Sequence, residues 1–173
     1  MAAYGFIPAR LNSTRLPQKM LLSETGKPLI QHTWESACRA DRIDQIVIAT
    51  DSAEIRDAVQ NFGGEVVMTG RHPSGSDRIA EAVESSFPDA DLIVNIQGDE
   101  PDVSPAHLNQ LVEEMQSGCE MATLATRAQS LEELSDSARV KVVTDRNGRA
   151  LYFSRSTIPW PGTVPPHKNA LSN

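Results

Sequence analysis

Short runs of Ile and Val recur along the chain, with amphipathic stretches between them. The runs at 4–7, 45–49, 65–68, 92–96 and 121–124 are apolar at successive positions rather than strictly alternating. That pattern predicts strands covered on both faces. Helices are predicted between them. The stretch 29–39 opens behind Pro28, whose fixed φ suits a first helical turn. The stretch 53–61 follows Asp51-Ser52, side chains able to accept from free amides at a helix start, and stops before Gly63-Gly64. In 77–86, Ile79, Ala80, Val83 and Phe87 fall on one face. The stretch 105–115 has Ser104 as cap, Pro105 in the first turn and Gly118 past its end. Such alternation predicts an α/β, Rossmann-like fold, a mostly parallel sheet with helices on both faces.

The rhythm changes after residue 126. Ser130 and Glu133 have the spacing of a capping box for a short helix. Runs at 140–144 and 150–153 flank Asn147-Gly148 and predict a C-terminal β-hairpin. Beyond Pro159 come Pro161, Pro165 and Pro166 with little apolar pattern, which predicts a loop or a disordered end. The division expected is an α/β domain over 1–126, a second part over 127–160 and a tail over 161–173.

The 173 residues suffice for one compact domain with a core of its own. Aromatics are only 5%, so that core is expected to be aliphatic. A net charge of −7 argues against a general nucleic-acid binder, which would carry a basic field, but leaves room for a local cationic pocket. Cys38 and Cys119 lack metal-ligand spacing and are expected to be small buried hydrophobes in a reducing cytoplasm. The first residues show no basic, apolar leader, and no run approaches the roughly 18 apolar residues of a membrane span.

In open parallel sheets, ligands gather beyond the carboxyl ends of the strands. After the first predicted strand the chain reads Pro8-Ala9-Arg10-Leu11-Asn12-Ser13-Thr14-Arg15-Leu16-Pro17-Gln18-Lys19, with three cations, two hydroxyls and no acid. Arg forks and a Lys point charge can hold a triphosphate. The loop lacks the glycines of a Walker A or dinucleotide motif, and it reads as well as an ordinary solvated basic loop. Gln97-Gly98-Asp99-Glu100-Pro101 places an acid at a strand end, where a carboxylate can take Mg²⁺ together with phosphate oxygens; a solvated polar turn is the alternative. His72-Pro73-Ser74-Gly75-Ser76-Asp77-Arg78 opens a helix and reads either as an anion or nucleobase site or as an N-cap.

Taken in order, these segments resemble one family over residues 5–160. Ile7-Pro8-Ala9-Arg10, Ser13-Thr14-Arg15-Leu16-Pro17 with Lys19, Gly26-Lys27-Pro28-Leu29-Ile30, Ala49-Thr50-Asp51, Ser74-Gly75-Ser76-Asp77-Arg78, Asn95-Ile96-Gln97-Gly98-Asp99-Glu100-Pro101, Val140-Lys141-Val142-Val143 and Ala150-Leu151-Tyr152-Phe153-Ser154-Arg155 are similar to motifs of the CMP-KDO synthetases, the 3-deoxy-manno-octulosonate cytidylyltransferases. Gln18 stands where that family usually has Gly, and Ser76 where it has Thr.

The resemblance implies the nucleotide-diphospho-sugar transferase type of fold and a reaction of CTP with an acidic eight-carbon sugar, releasing pyrophosphate, for lipopolysaccharide synthesis. By motif position, Arg10, Arg15 and Lys19 would hold the triphosphate, and Asn12 and Ser13 would donate to it. Pro8 and Ala9 would face cytosine, and Ser74, Gly75 and Arg78 would line the nucleotide pocket. Gln97 would reach the ribose or the sugar, Asp99 would ligate Mg²⁺, and Arg155 would meet the sugar carboxylate. Arg10, Lys19 and Asp99 would be catalytic, with no dedicated general base. The family chain is expected to run further, carrying a second metal-binding aspartate, more of the sugar site and much of a homodimer surface. A sister enzyme for another acidic sugar of the sialic acid type and a non-catalytic CTP-binding remnant are the competing readings. Neither nucleic acid nor membrane is expected as a partner.

Overall fold

The computed structural model describes residues 1–11 and 16–159. The chain divides into two compact units between Thr123 and Leu124.

The first unit is built on β1 (Ala3–Ala9), β2 (Gln45–Thr50), β3 (Glu65–Met68) and β4 (Leu92–Asn95), all parallel, in the order β3-β2-β1-β4. Parallel neighbours need crossovers, supplied by α1 (Leu29–Ala37), α2 (Ala53–Asn61) and α3 (Gly75–Ser86), with α4 (Pro105–Gln116) following β4. Side chains of β1 alternate between two cores. On one face Ile7 shares a core with Ile30 of α1, Ile55 and Val59 of α2, and Leu108 and Val112 of α4. Phe6 packs with Val47, Ala49, Ile79 and Ala82 on the other, under α3. Helices thus cover both faces, as the apolar runs predict. Phe87, at the end of α3, closes the smaller core with its ring edge-on to Phe6 at 5.6 Å between centroids.

Local signals explain the helix starts. The Ser52 side chain accepts from the Ile55 amide, and Ser74 from the Asp77 amide, each satisfying a first-turn donor. Ser104 differs from expectation. Its side chain makes no cap bond, and its carbonyl instead accepts from the amides of His107 and Leu108.

The predicted strand at 121–124 is absent, and the chain there makes no strand pairing. Apolar residues alone do not make a strand; a hydrogen-bonding neighbour is required, and this run straddles the division between the units. Met121 is 89% exposed. Both cysteines are exposed rather than buried, because Cys38 caps the end of α1 and Cys119 follows the turn at Gly118 that ends α4.

The second unit holds α5 (Leu131–Ser135) and an antiparallel hairpin of β5 (Lys141–Thr144) and β6 (Ala150–Ser154). Ser130 Oγ accepts from the Glu133 amide at 3.2 Å, and Glu133 Oε2 accepts from Gln129 N at 2.8 Å, a near relative of the expected capping box. Gly148 takes φ +83°, and the Asp145 carboxylate accepts the Asn147 and Arg149 amides, which closes the hairpin turn. The tail beyond Pro159 lies outside the described residues.

Lys141 is only 7% exposed. Its Nζ donates to the carbonyls of Asp136 (2.8 Å), Arg139 (2.8 Å) and Arg155 (2.6 Å), which uses all of an ammonium's donors. Lys141→Met would leave those carbonyls short of a donor and is expected to cost the hairpin unit about 3 kcal/mol. Hydrogen exchange would show it as lost protection confined to residues after Thr123; unchanged protection there would show the ammonium to be dispensable.

Candidate active site

At the carboxyl ends of the strands of the first unit lies a cavity of about 530 Å³. Pro8, Ala9 and Arg10 line it from the end of β1. Leu16, Lys19 and Met20 follow in the chain, with Lys19–Leu21 forming a 3₁₀ turn. The connection from β3 into α3 contributes His72, Pro73, Ser74 and Gly75, with Arg78 behind them. Gln97, Gly98 and Asp99 complete the lining after β4. The three loops singled out by sequence therefore face one space, because parallel strands bring all their carboxyl ends to one side of the sheet.

Small residues let these walls approach. A Cβ on Gly75 would sit 3.0 Å from Pro8 Cγ, and one on Gly98 would sit 3.1 Å from Met20 Sδ and 3.3 Å from Ile7. Gly98 thus packs closely against the core. Its carbonyl accepts from the buried Thr33 hydroxyl at 2.9 Å, which ties the Gln97–Asp99 turn to α1.

Lys19 and Asp99 meet across the cavity at 2.7 Å, with side chains 32% and 45% exposed. A pair this exposed contributes little to stability, of order 0–1 kcal/mol. Just before Lys19, Gln18 takes φ +53° and ψ +28°, the left-handed region that costs a side chain roughly 1 kcal/mol and that glycine enters freely. The glycine usual at this place in the family that the sequence resembles has its physical reason in that angle.

Arg78 lies differently from Arg10. It is 4% exposed, and its guanidinium pairs with Asp51 at 3.0 Å and donates to Thr69 Oγ1 at 2.6 Å and the Gly70 carbonyl at 3.4 Å. It forms part of the cavity wall while its donors are directed to protein groups. Sequence reading puts His72 in a candidate loop without a role of its own and misses Glu81. His72 Nε2 bonds Glu81 Oε2. The same carboxylate accepts the Gly70 amide at 3.0 and 3.1 Å. These bonds, the imidazole first and the amide second, hold the Glu81 carboxyl below its ordinary pKa. The nine-residue separation of His72 and Glu81 is spanned by a loop and a helix start, so no local periodicity announces the contact.

Of the other expected site residues, Asn12, Ser13 and Arg15 lie outside the described residues. Arg155 belongs to the second unit, where its guanidinium donates to the carbonyls of Ser137 and Ala138, both at 3.1 Å. Among the described residues no group of three or more His, Cys, Asp or Glu side chains is arranged to hold a metal.

A sequence profile of cytidylyltransferases matches residues 4–165. The 3-deoxy-manno-octulosonate cytidylyltransferase of Trichlorobacter lovleyi is 45% identical over 163 residues, covering 92% of this chain and 64% of the relative. That of Histophilus somni is 48% identical over 157 residues, covering 89% and 61%. A solved structure described as CMP:2-keto-3-deoxy-manno-octonic acid synthetase complexed with CTP superposes with a TM-score of 0.84 at 38% identity, covering 94% of this chain and 68% of that one. The chain thus spans less than two thirds of the length of these two curated relatives.

Arg78→Met removes a buried cation from the part-buried Asp51 carboxylate and from Thr69 and Gly70, and is expected to lower the unfolding free energy by about 3 kcal/mol, read from urea titration. Arg10→Met, at an exposed cavity position, is expected to leave it within about 0.5 kcal/mol. Equal stabilities for the two variants would contradict the strut role of Arg78.

Proposed function

The chain belongs to the cytidylyltransferase family, and on that footing we propose that it transfers the cytidylyl group of CTP to 3-deoxy-manno-octulosonate, releasing pyrophosphate, in lipopolysaccharide synthesis. The observation that carries this reading is the cavity itself. Arg10 and Lys19 from one loop, and Asp99 from another, converge at the carboxyl ends of β1 and β4, in a chain 45–48% identical to relatives of that name.

In this reading the anomeric hydroxyl of the sugar attacks the α-phosphorus, the bond to the bridging oxygen of the departing pyrophosphate breaks, and the hydroxyl proton passes to solvent. Little covalent work falls to the protein, so the rate comes from alignment and from neutralising charge. Arg10 and Lys19 hold the β- and γ-phosphates and stabilise the charge that grows on the leaving group, with Arg15, Asn12 and Ser13 completing the cradle. Pro8 and Ala9 offer backbone groups to cytosine. Ser74 and Gly75 form the opposite wall, which Arg78 supports from behind. Gln97 reaches the ribose or the sugar, and Arg155 meets the sugar carboxylate.

Asp99 is the residue that would hold Mg²⁺. A carboxylate at a strand end suits an ion carried in on the triphosphate, since Mg²⁺ takes one or two carboxylates and fills its remaining positions with phosphate oxygens and water. When bound, the ion would offset phosphate charge and polarise the attacking hydroxyl. Lys19 would then leave Asp99 for the phosphates, an exchange consistent with the exposure of the pair. No helix among the described residues is long and apolar enough to cross a membrane, and a cytoplasmic reaction by a homodimer is part of the proposal. A second reading, CTP binding without turnover, is favoured by Arg155, the expected partner of the sugar carboxylate, whose guanidinium donates to the carbonyls of Ser137 and Ala138.

Calorimetry with CTP, UTP, GTP and ATP, with and without Mg²⁺, is expected to show selective CTP binding that Mg²⁺ strengthens. Pyrophosphate release with 3-deoxy-manno-octulosonate and not with a sialic acid is expected next, and Lys19→Ala is expected to lower kcat/KM about a hundredfold. Binding without release would select the second reading. Failure to bind any nucleotide would refute both.

A further inference from the structure

The loop that forms one wall of the cavity is held from behind by two side chains one helical turn apart on α3. Arg78 donates to the Gly70 carbonyl and to Thr69, while Glu81 accepts the Gly70 amide. The peptide groups on both sides of Gly70 are therefore fixed. Glu81 then does something Arg78 does not: the same carboxylate takes Nε2 of His72, a ring that lines the cavity. An ionised carboxylate only accepts, so it requires the proton to sit on Nε2. The orientation of the ring and the hydrogen-bonding character of Nδ1 follow from that one contact. Carboxylates that orient a working imidazole in this way are recurrent where the ring meets a ligand.

We propose that Glu81 is a positioning residue of the nucleotide site, acting through His72, which it holds in the Nε2–H form against the bound nucleotide. This rests on the reading of the cavity as the CTP site. Glu81→Gln separates the two tasks of the carboxylate. An amide oxygen still accepts the Gly70 amide, so the loop stays anchored. The amide nitrogen can only donate to Nε2, which moves the neutral ring's proton to Nδ1 and reverses what the ring offers.

The test uses the full chain. Imidazole ¹⁵N NMR, with the His72 signal assigned by His72→Ala, reads the tautomer without any ligand. Calorimetry with CTP and Mg²⁺ reads binding in the unaltered chain, Glu81→Gln, His72→Ala and the double variant, and urea titration reads stability alongside. The expected result is an Nε2–H ring that changes tautomer in Glu81→Gln. CTP affinity should fall about tenfold in each single variant, the scale of one lost hydrogen bond. The double variant should bind no more weakly than His72→Ala alone, since Glu81 acts through the ring. A purely structural Glu81 would lower stability and leave CTP affinity and its coupling to His72 unmoved. CTP affinity in Glu81→Gln within twofold of the unaltered chain, or additive losses in the double variant, would overturn the positioning role while leaving the nucleotide reading intact. No CTP binding by the unaltered chain would overturn both, whatever the tautomer.

Discussion

The buried guanidinium of Arg78 ties together the parts on which the candidate site stands. It reaches Asp51 at the end of β2, Thr69 and Gly70 at the end of β3, and it belongs to α3. Parallel strands share no turns, so nothing in the sheet itself dictates how their carboxyl-end loops sit against one another. A charged fork with several donors can specify that arrangement where apolar packing would leave it loose. The same burial explains its cost. A cation taken out of water must be met by a carboxylate and by hydrogen-bond acceptors, and here Asp51, Thr69 and the Gly70 carbonyl supply them.

From that anchor the cavity follows by close approach. Gly75 lies against Pro8, and Gly98 against Met20 and Ile7, so the walls from three loops come near enough to enclose a ligand. Rigid and exchangeable parts are divided. The Thr33–Gly98 bond and the Arg78 strut are buried, whereas Lys19 and Asp99 remain half in solvent and hold each other weakly. A site that binds a polyanion needs such a division: fixed backbone for shape and loosely held charges that can turn to the ligand.

Much of the fold was legible because apolar periodicity is local. The elements Gln45–Thr50, Ala53–Asn61 and Glu65–Met68 lie within a residue of the boundaries read from pattern and caps. The failed strand at 121–124 marks the limit of that signal, since pairing depends on a neighbour that a run of residues cannot name. The candidate site divides in the same way. Arg10, Lys19 and Asp99 could be found from loop composition at strand ends, and they share a cavity. The work of Arg78 could not, because whether a cation faces a ligand or a protein carboxylate is decided by a residue 27 positions away, Asp51. Glu81 was invisible for a related reason: on its helix it looks like any solvent-facing acid. The left-handed turn at Gln18 was partly hidden as well, by a residue that tolerates the angle without advertising it.

The ammonium of Lys141 lies in a cage of three main-chain oxygens, inside the second unit. Lysines ordinarily supply most of the amines on a protein that can be labelled, because an acylating reagent needs only a deprotonated nitrogen and room to approach. Here every proton is engaged and the approach is closed. Covalent labelling would therefore pass Lys141 by as long as the hairpin keeps its shape and reach it once the cage opens, which makes this one amine a chemical gauge of whether the last part of the chain is folded.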